Sequence, residues 1–303
     1  MESLTVRSGD KDLHVVQGGD PAHPTVLFLH GYPDSHRVWR ESMEALSDEY
    51  RVVAFDMRGV QGSGPPAPAA DYRIERLLPD IEAVIEATCG ARGRVHLVAH
   101  DWGSTIAWSF ISQPEYAQRV ISLTSMSGPH LSIWLRWMAE GIKSLRPRRM
   151  APVIWQAIKS SYVLYLLARP IPELFWRLGG APLWRLTLRI AGVPRGDPML
   201  QESRSDVLSM ALRPMALYRR NLWSPPGLPP KRSITTPVLL VIPTGDPFVS
   251  EAIFENLDEY ATQVTRRPLA ASHWAQRSSP EAFVALLRDF LAQDRPGPER
   301  EAP

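Results

Sequence analysis

The chain has 303 residues, of which 44% are hydrophobic and 22% are charged, and its net charge is +2. These values are typical of a soluble globular protein of enzyme size, with one large domain or a domain carrying an insertion. The single cysteine, Cys89, excludes an internal disulfide and favours a reducing compartment. Residues 1–20 lack the apolar segment of a signal peptide, and no run of about 18 uncharged apolar residues predicts a membrane span. We therefore expect a cytoplasmic protein.

The first 126 residues alternate between strand and helix patterns. Predicted strands cover residues 4–6, 13–17, 25–30, 51–56, 95–100 and 120–126, and predicted helices cover residues 38–46 and 74–87. The first two strands predict an antiparallel hairpin at a sheet edge, and strands such as 25–30 are apolar throughout, which is typical of burial on both faces. Short links between strand and helix imply a parallel sheet with right-handed crossovers.

The turn His100-Asp101-Trp102-Gly103 follows the strand that begins at residue 95. A sharp corner between a strand and a helix exposes the residue at the turn, where some enzymes hold a nucleophile. Here that residue is an acid. A carboxylate can open a strained or activated carbon to form an ester, which a water activated by a histidine then hydrolyses.

The alternation of strand and helix stops near residue 129 and resumes near residue 233. Between His130 and Arg232 the pattern is helical, with 17 basic and five acidic residues, against 17 basic and 27 acidic residues in the remainder. The segment also holds six of the ten tryptophans: Trp134, Trp137, Trp155, Trp176, Trp184 and Trp223. We predict a core of residues 1–128 and 233–294, a helical cap insertion at 129–232 and a tail or linker at 295–303.

The strand pattern returns at residues 236–243 and 264–269, and a helix is predicted at residues 280–292. Asp246 follows the first of these strands in a Gly- and Pro-containing turn, and His273 follows the second. Both side chains are therefore predicted at the carboxyl edge of the sheet. The chain order of nucleophile, acid and histidine is the one found in a large class of hydrolases.

Five short motifs occur in this order along residues 1–294. They are His30-Gly31-Tyr32-Pro33, Asp56-Met57-Arg58-Gly59, His100-Asp101-Trp102-Gly103, Gly245-Asp246-Pro247-Phe248-Val249 and His273-Trp274. On these motifs the chain resembles the α/β-hydrolase superfamily, and most closely its epoxide hydrolase branch. The resemblance implies a mostly parallel eight-stranded sheet with an inserted helical cap, and hydrolysis of an apolar epoxide to a vicinal diol without a cofactor or metal.

The resemblance also assigns roles to single residues. Asp101 would be the nucleophile that forms an alkyl-aspartyl ester, and His273, oriented by Asp246, would activate the water. The backbone N–H groups of Tyr32 and Trp102 would form the oxyanion hole.

Two cap tyrosines would support the epoxide oxygen as the ring opens. Tyr218 matches the family segment with a Tyr-Arg pair followed closely by Asn. Of Tyr162 and Tyr165, we prefer Tyr162 as the other tyrosine, although its segment lacks the usual Phe-Gln ending. Trp102, Tyr165 and Trp274 are predicted to contact the substrate.

The chain departs from the family pattern at two positions. Gln61 stands where relatives commonly have the second glycine of their loop, which puts the loop conformation in question. Ser272 replaces a glycine often found before the histidine. Neither change removes a reacting group.

Two other functions stay open. A haloalkane or haloacid dehalogenase shares the elbow, the histidine and the ester, but it would not need the tyrosine pair, and Tyr32 stands where halide-binding relatives often have Asn or another donor. A catalytically silent module that binds a ligand is the other alternative, although a complete triad argues against it.

The basic cap has two interpretations. It is either a solvated arginine face over an apolar core, or a surface for peripheral contact with anionic lipid, since basic helices with Trp favour such interfaces. No motif predicts nucleic-acid binding. The cap and the tail also resemble the hydrolase half of actinobacterial proteins that continue into a short-chain dehydrogenase domain, which would make long-chain lipid epoxides plausible substrates.

Overall fold

A computed structural model describes residues 1–64 and 67–294 of the chain. Its strands are β1 Glu2–Ser8, β2 Lys11–Gly18, β3 Thr25–Leu29, β4 Arg51–Phe55, β5 Val95–His100, β6 Val120–Met126, β7 Val238–Pro243 and β8 Val264–Leu269. They form one sheet in the order β1-β2-β4-β3-β5-β6-β7-β8. The pairs β1–β2 and β2–β4 are antiparallel, and the other pairs are parallel. The predicted mostly parallel sheet of eight strands is confirmed.

The centre of the sheet is covered on both faces. Every residue of β3, β5 and β7 is buried, as expected for strands with continuous apolar sequences. The edge strand β1 instead exposes most of its residues. Since β3 to β8 run in the same direction, the turns after β3, β5, β6, β7 and β8 all meet at one edge of the sheet.

The helices are α1 Arg40–Leu46, α2 Ile74–Cys89, α3 Trp102–Ile111, α4 Pro114–Ala117, α5 Leu131–Lys143, α6 Pro147–Lys159, α7 Tyr162–Leu167, α8 Ile171–Phe175, α9 Ala181–Ile190, α10 Arg204–Leu212, α11 Ala216–Asn221, α12 Ala275–Ser278 and α13 Pro280–Leu291. Segments of 3-10 helix are His36–Trp39, Ala69–Tyr72, Pro198–Gln201, Glu251–Glu259 and Ala292–Asp294, and Trp176–Gly180 is a turn of π-helix. The helix predicted at residues 38–46 is therefore a 3-10 turn that leads into α1. The helix predicted at 74–87 extends to Cys89 and ends at Gly90, whose φ is 79°.

Helices α5 to α11 lie between β6 and β7 in the chain, and we call them the intervening helices. Their buried residues, such as Leu131, Leu188 and Leu217, belong to the same hydrophobic cluster as the strands of the sheet. The intervening helices therefore pack on the sheet through a shared apolar core. The division of the chain into a core and a cap at residues 129 and 232 stays a prediction.

Membrane-spanning helices are not found among the described residues, because none of those helices is both long and apolar enough. The predicted tail or linker at residues 295–303 lies outside the described residues.

Candidate active site

Asp101 stands at the corner between β5 and α3, with φ of 51° and ψ of −122°. Residues other than glycine rarely adopt such a positive φ, so the backbone at this corner is strained by about 1–3 kcal/mol. Two glycines allow the backbone to pass close to it. A Cβ atom at Gly31 would collide with the Asp101 side chain, and one at Gly128 would collide with the Asp101 carbonyl oxygen. The corner thus projects the carboxylate beyond the edge of the sheet.

The two oxygens of the Asp101 carboxylate have different surroundings. Oδ1 accepts a hydrogen bond of 2.8 Å from the backbone N–H of Tyr32, and the backbone N–H of Trp102 lies beside the same carboxylate. Oδ2 faces His273, with 3.7 Å between Oδ2 and Nε2. Burial raises the pKa of Asp101, although the charge of His273 and the Tyr32 and Trp102 N–H groups oppose that rise.

Asp246 lies in the turn after β7, beside His273 in the turn after β8. The Asp246 Oδ1 atom accepts hydrogen bonds from the backbone N–H groups of Phe248 and Val249, at 2.8 and 3.0 Å. Its Oδ2 atom lies 2.8 Å from His273 Nδ1. Burial would raise the pKa of Asp246, but the charge and hydrogen bond of His273 outweigh it and lower that pKa. Asp246 therefore stays ionised and fixes the imidazole with Nε2 facing Asp101.

The His273 imidazole is buried between two carboxylates. Burial would lower its pKa, but the charge of Asp246, the hydrogen bond to it and the charge of Asp101 raise the pKa above its ordinary value of 6.5. A basic imidazole in this position is suited to removing a proton from a water near Asp101.

Tyr162 from α7 and Tyr218 from α11 converge over Asp101. Their hydroxyl oxygens lie 3.4 Å apart, and the Tyr218 ring packs edge-on against Trp102 with 4.9 Å between ring centroids. Burial raises the pKa of both phenols well above the ordinary value of 10, and each is raised further by the charge of Asp101. Both hydroxyls therefore remain protonated and able to donate.

Tyr165 and Trp274 do not line the cavity above Asp101. The Tyr165 ring packs against Phe175, with 6.0 Å between centroids. The Trp274 indole is buried behind His273 and donates from Nε1 to Asp34 Oδ2 at 3.1 Å. The predicted substrate contacts of Tyr165 and Trp274 thus lack support from the geometry, since both rings already have other neighbours.

The cavity above Asp101 has two main walls. One wall comes from the turns after β5, β6 and β7, and another comes from α6, α7 and α11. Its lining is mainly apolar or aromatic and includes Trp102, Leu131, Trp134, Val163, Leu222, Phe248 and Ile253. The polar side chains in the lining are Asp101, Thr105, Ser127, Gln156, Ser160, Tyr162 and Tyr218. Such a cavity suits an apolar molecule with one reactive polar group.

Gln156 and Lys159 hold the end of α6 against the turn that carries Asp246. Gln156 Nε2 donates to the Phe248 carbonyl at 2.8 Å, and its Oε1 accepts from the Ser250 N–H at 2.8 Å. Lys159 Nζ donates to the Asp246 carbonyl at 2.6 Å. Neither residue was predicted from the sequence to have a role at the site. The available signal was a polar residue, Gln156, within the apolar run from Val153 to Ile158.

The asparagine that follows the pair Tyr218-Arg219, Asn221, has a buried side chain that bonds to three backbone groups. Its Oδ1 accepts from the Ile74 N–H at the start of α2 at 2.9 Å, and its Nδ2 donates to the Tyr72 and Leu217 carbonyls at 2.8 Å. These bonds join α11, which carries Tyr218, to the start of α2 and to the turn Ala69–Tyr72.

Arg219 connects the two helices that carry the tyrosines. Its Nε donates to the Leu166 carbonyl of α7 at 2.9 Å, and it forms an ion pair with Glu173 of α8 at 2.5 Å. The positions of Tyr162 and Tyr218 are therefore linked through Arg219.

Gln61 has φ of 39°, in the left-handed region that favours glycine. Gln61 therefore adopts a backbone conformation that a glycine would adopt more easily. The Gln61 N–H donates to Ser209 Oγ at 3.1 Å, and its side chain lies 3.4 Å from Glu202. These contacts tie the loop to α10 and to the segment before it.

One group of three side chains among the described residues has donor atoms arranged for a metal ion. His14, His36 and Asp56 place one ligand atom each within 4.8 Å of the others. The sequence spacing did not indicate this group, because its members come from three separate elements. Asp56 Oδ2 lies 2.9 Å from Nδ1 of both histidines, so hydrogen bonding accounts for the arrangement without an ion. The group is not in the lining of the cavity above Asp101.

Comparison with known proteins gives a family and several relatives. The family described as alpha/beta hydrolase fold matches residues 24–280. The chain is 31% identical over 290 residues to "Probable oxidoreductase EphD" of Mycobacterium tuberculosis, an alignment that covers 91% of this chain and 47% of that protein. It is 30% identical over 293 residues to "Epoxide hydrolase 3" of Xenopus tropicalis, covering 93% of this chain and 75% of that protein. The chain thus spans about half the length of the first relative.

The fold is similar to that of a solved epoxide hydrolase from Bacillus megaterium, crystallised in complex with an inhibitor. The TM-score is 0.77 at 24% identity, and the match covers 95% of this chain and 100% of that chain. At this level of identity the likeness shows the fold alone.

Proposed function

This chain belongs to the α/β-hydrolase fold family and to its epoxide hydrolase branch, and from that membership we infer that it hydrolyses epoxides to vicinal diols. The observation that carries this proposal is the cavity in which Asp101 faces two phenols. An epoxide needs a nucleophile on one side of the C–O bond and a proton donor on the other. Asp101 Oδ2 and the hydroxyls of Tyr162 and Tyr218 meet both needs.

In the first step, Asp101 Oδ2 attacks an epoxide carbon and forms an ester bond while the C–O bond of the ring breaks. Oδ1 is held by the Tyr32 N–H, so Oδ2 is the oxygen left to attack. The departing oxygen takes a proton from Tyr162 or Tyr218 and becomes a hydroxyl group. The paired phenols support this transfer, since a second hydroxyl at 3.4 Å can donate to the phenolate that forms.

In the second step, His273 Nε2 removes a proton from water, and the resulting hydroxide attacks the ester carbonyl carbon. The negative charge moves to the carbonyl oxygen, where the Tyr32 and Trp102 N–H groups can stabilise it. Collapse of this intermediate breaks the bond between the carbonyl carbon and the substrate oxygen. The departing alkoxide takes the proton of the newly added hydroxyl group, which releases the diol and restores the Asp101 carboxylate. The proton held by His273 returns to the tyrosine, so one epoxide and one water give one diol.

The apolar lining of the cavity favours an apolar epoxide as the substrate. A long-chain lipid epoxide is one member of that class. We also propose that the intervening helices act as a cap over the cavity, because α6, α7 and α11 supply one of its walls. The predicted contact with a membrane depends instead on the outer surface of those helices. A fused dehydrogenase domain stays a prediction.

The activity is tested with two matched substrates, a terminal aliphatic epoxide and the chloroalkane of the same chain length. We expect diol from the epoxide and no chloride from the chloroalkane. Chloride release without diol formation would indicate a dehalogenase. Saturable binding of epoxides with no turnover across a range of chain lengths would favour a module that binds ligand without catalysis.

A further inference from the structure

The outer surface of residues 142–190, which runs from the end of α5 through α9, combines exposed apolar side chains with a large excess of positive charge. We propose that this surface is a docking site for an anionic lipid bilayer. A bilayer of this kind offers hydrocarbon to the apolar side chains and phosphate to the basic ones.

The exposed large apolar residues of the protein are concentrated in this segment. Among the described residues outside it, large exposed apolar side chains occur only at Met1, Trp223 and Leu228. Those within it are Ile142, Leu145, Ile154, Trp155, Ile158, Leu164, Ile171, Leu174, Leu178, Leu183, Leu186 and Ile190. A concentration of this size on one segment is unusual for a surface that faces water alone.

Helical spacing places these residues on the outer faces of the helices. In α6, Ile154, Trp155 and Ile158 are about half exposed, while Val153 and Gln156 face inward and are buried. Residues three or four apart lie on the same side of a helix. The helix therefore has an outer apolar stripe in addition to the inner face that packs on the protein.

Helix α9 repeats this arrangement. Leu183, Leu186 and Ile190 are exposed, and Trp184 and Leu188 are buried against the core. The spacing of three and four residues again places the exposed set on one side. Packing within the protein accounts for the inner face of α9 and leaves its outer apolar face unpartnered.

The positive charge of residues 142–190 favours an anionic bilayer over a second copy of the protein as the partner of this surface. Residues 142–190 contain nine basic side chains, Lys143, Arg146, Arg148, Arg149, Lys159, Arg169, Arg177, Arg185 and Arg189, and one acidic side chain, Glu173. Glu173 is already paired with Arg219 at 2.5 Å and lies 3.6 Å from Arg169. Two copies of the protein that met through this surface would therefore repel each other, whereas an anionic bilayer would attract it.

The same helices form part of the cavity wall. The inner sides of α6 and α7 contribute Gln156, Tyr162 and Val163 to the cavity, while their outer sides carry Trp155 and Leu164. A docked protein would thus hold the cavity next to the lipid. The transfer of an apolar epoxide from the bilayer to Asp101 rests on the proposed function, whereas the docking itself does not.

Vesicle co-sedimentation tests the docking without any turnover. We expect the full chain to bind vesicles of phosphatidylcholine mixed with phosphatidylglycerol, to bind vesicles of phosphatidylcholine alone at least about tenfold more weakly, and to be released by salt. A triple variant, Ile154→Ser, Trp155→Ser and Ile158→Ser, and a double variant, Arg148→Glu and Arg149→Glu, should each lose about tenfold or more in partition.

Trp223→Ser is the matched control, because Trp223 is 79% exposed but lies outside the segment. It should bind anionic vesicles like the unaltered protein. All variants should keep the unfolding midpoint and the turnover of a water-soluble epoxide, which separates loss of docking from misfolding and from failure of the proposed activity. Equal binding of the triple variant and the unaltered protein would overturn the proposal. So would absence of binding to anionic vesicles, with or without a dimer in sedimentation velocity.

Discussion

At the scale of single residues, the site depends on the two oxygens of Asp101. Oδ1 lies where the oxyanion would form, and Oδ2 faces both His273 and the cavity. The same N–H groups that hold Oδ1 before attack can hold the charge that forms during ester hydrolysis. One small group of atoms can therefore support both halves of the reaction.

Asp101→Asn should abolish the reaction, because a neutral amide is a poor nucleophile for carbon. We expect turnover of an epoxide to fall by about a thousandfold or more, while the variant still binds the epoxide. Diol formation and equilibrium binding check this, and mass spectrometry excludes deamidation. Turnover equal to that of the unaltered protein, in a sample free of deamidation, would refute attack by Asp101.

The pH dependence should follow His273, which must be neutral to accept a proton from water. Its two carboxylate neighbours raise its pKa, so protonation removes the base at a higher pH than for a free imidazole. We expect kcat to fall as the pH decreases, with a midpoint above 6.5. The high pKa values of Tyr162 and Tyr218 predict no fall in kcat from their ionisation up to about pH 10. An acid limb centred well below 6.5 would contradict these assignments.

The tyrosine pair can be tested by removing one hydroxyl at a time. Tyr162→Phe and Tyr218→Phe should each lower kcat/KM by about tenfold or more, and the double variant should lower it by about 100- to 10,000-fold. Tyr165→Phe is the matched control, because its hydroxyl has no hydrogen-bond partner within the described residues and its ring packs on Phe175. If Tyr165→Phe lowered kcat/KM more than Tyr162→Phe does, Tyr165 and not Tyr162 would be the second proton donor.

At the scale of elements, hydrogen bonds across the chain fix the helices that carry the tyrosines. Asn221 joins α11 to the start of α2, and Arg219 joins α11 to α7 and α8. Neither residue lines the cavity. Their role is to keep α11 and α7 in register, so that two hydroxyls from different helices meet at one place.

Asn221→Ala should destabilise the protein and misplace Tyr218. The change removes the side-chain hydrogen bonds to the buried Ile74 N–H and to the Tyr72 and Leu217 carbonyls, at a cost of about 1–3 kcal/mol in the free energy of unfolding. Urea unfolding measures this loss, and kcat should fall as well. Ser224→Ala, an exposed change in the same segment, should alter stability by less than about 0.5 kcal/mol. If Asn221→Ala and Ser224→Ala had equal effects on the free energy of unfolding and on kcat, the proposed role of Asn221 in positioning α11 would be wrong.

The sequence predicts most of these elements, because their signals are local. Continuous apolar runs located the buried strands, and the Asp101 corner was visible as an acid between a strand and small residues. The bonds of Gln156 to the Asp246 turn could not be predicted, because they join residues about ninety positions apart. The choice between Tyr162 and Tyr165 depended in the same way on how α7 rotates against α11, which no local pattern specifies.

At the scale of the whole molecule, the parallel sheet brings the turns after β3, β5, β7 and β8 to one edge. Asp101, Asp246 and His273 are far apart in the chain, yet this topology places them within hydrogen-bonding range or near it. The intervening helices then cover that edge, and the segment from His130 to Arg232 that contains them carries an excess of positive charge. Catalytic chemistry and the proposed lipid contact are therefore assigned to opposite sides of the same helices.

The central claim is a covalent ester between Asp101 and the substrate, and mass spectrometry of a His273→Gln variant tests it most directly. Without the imidazole, the ester should form and its hydrolysis should be slow, so the variant should gain the mass of one epoxide molecule. Peptide mapping should place that mass on the peptide containing Asp101, and the gain should vanish when Asp101→Asn is added. If the unaltered protein makes diol but the variant gains no mass on that peptide, the mechanism is contradicted.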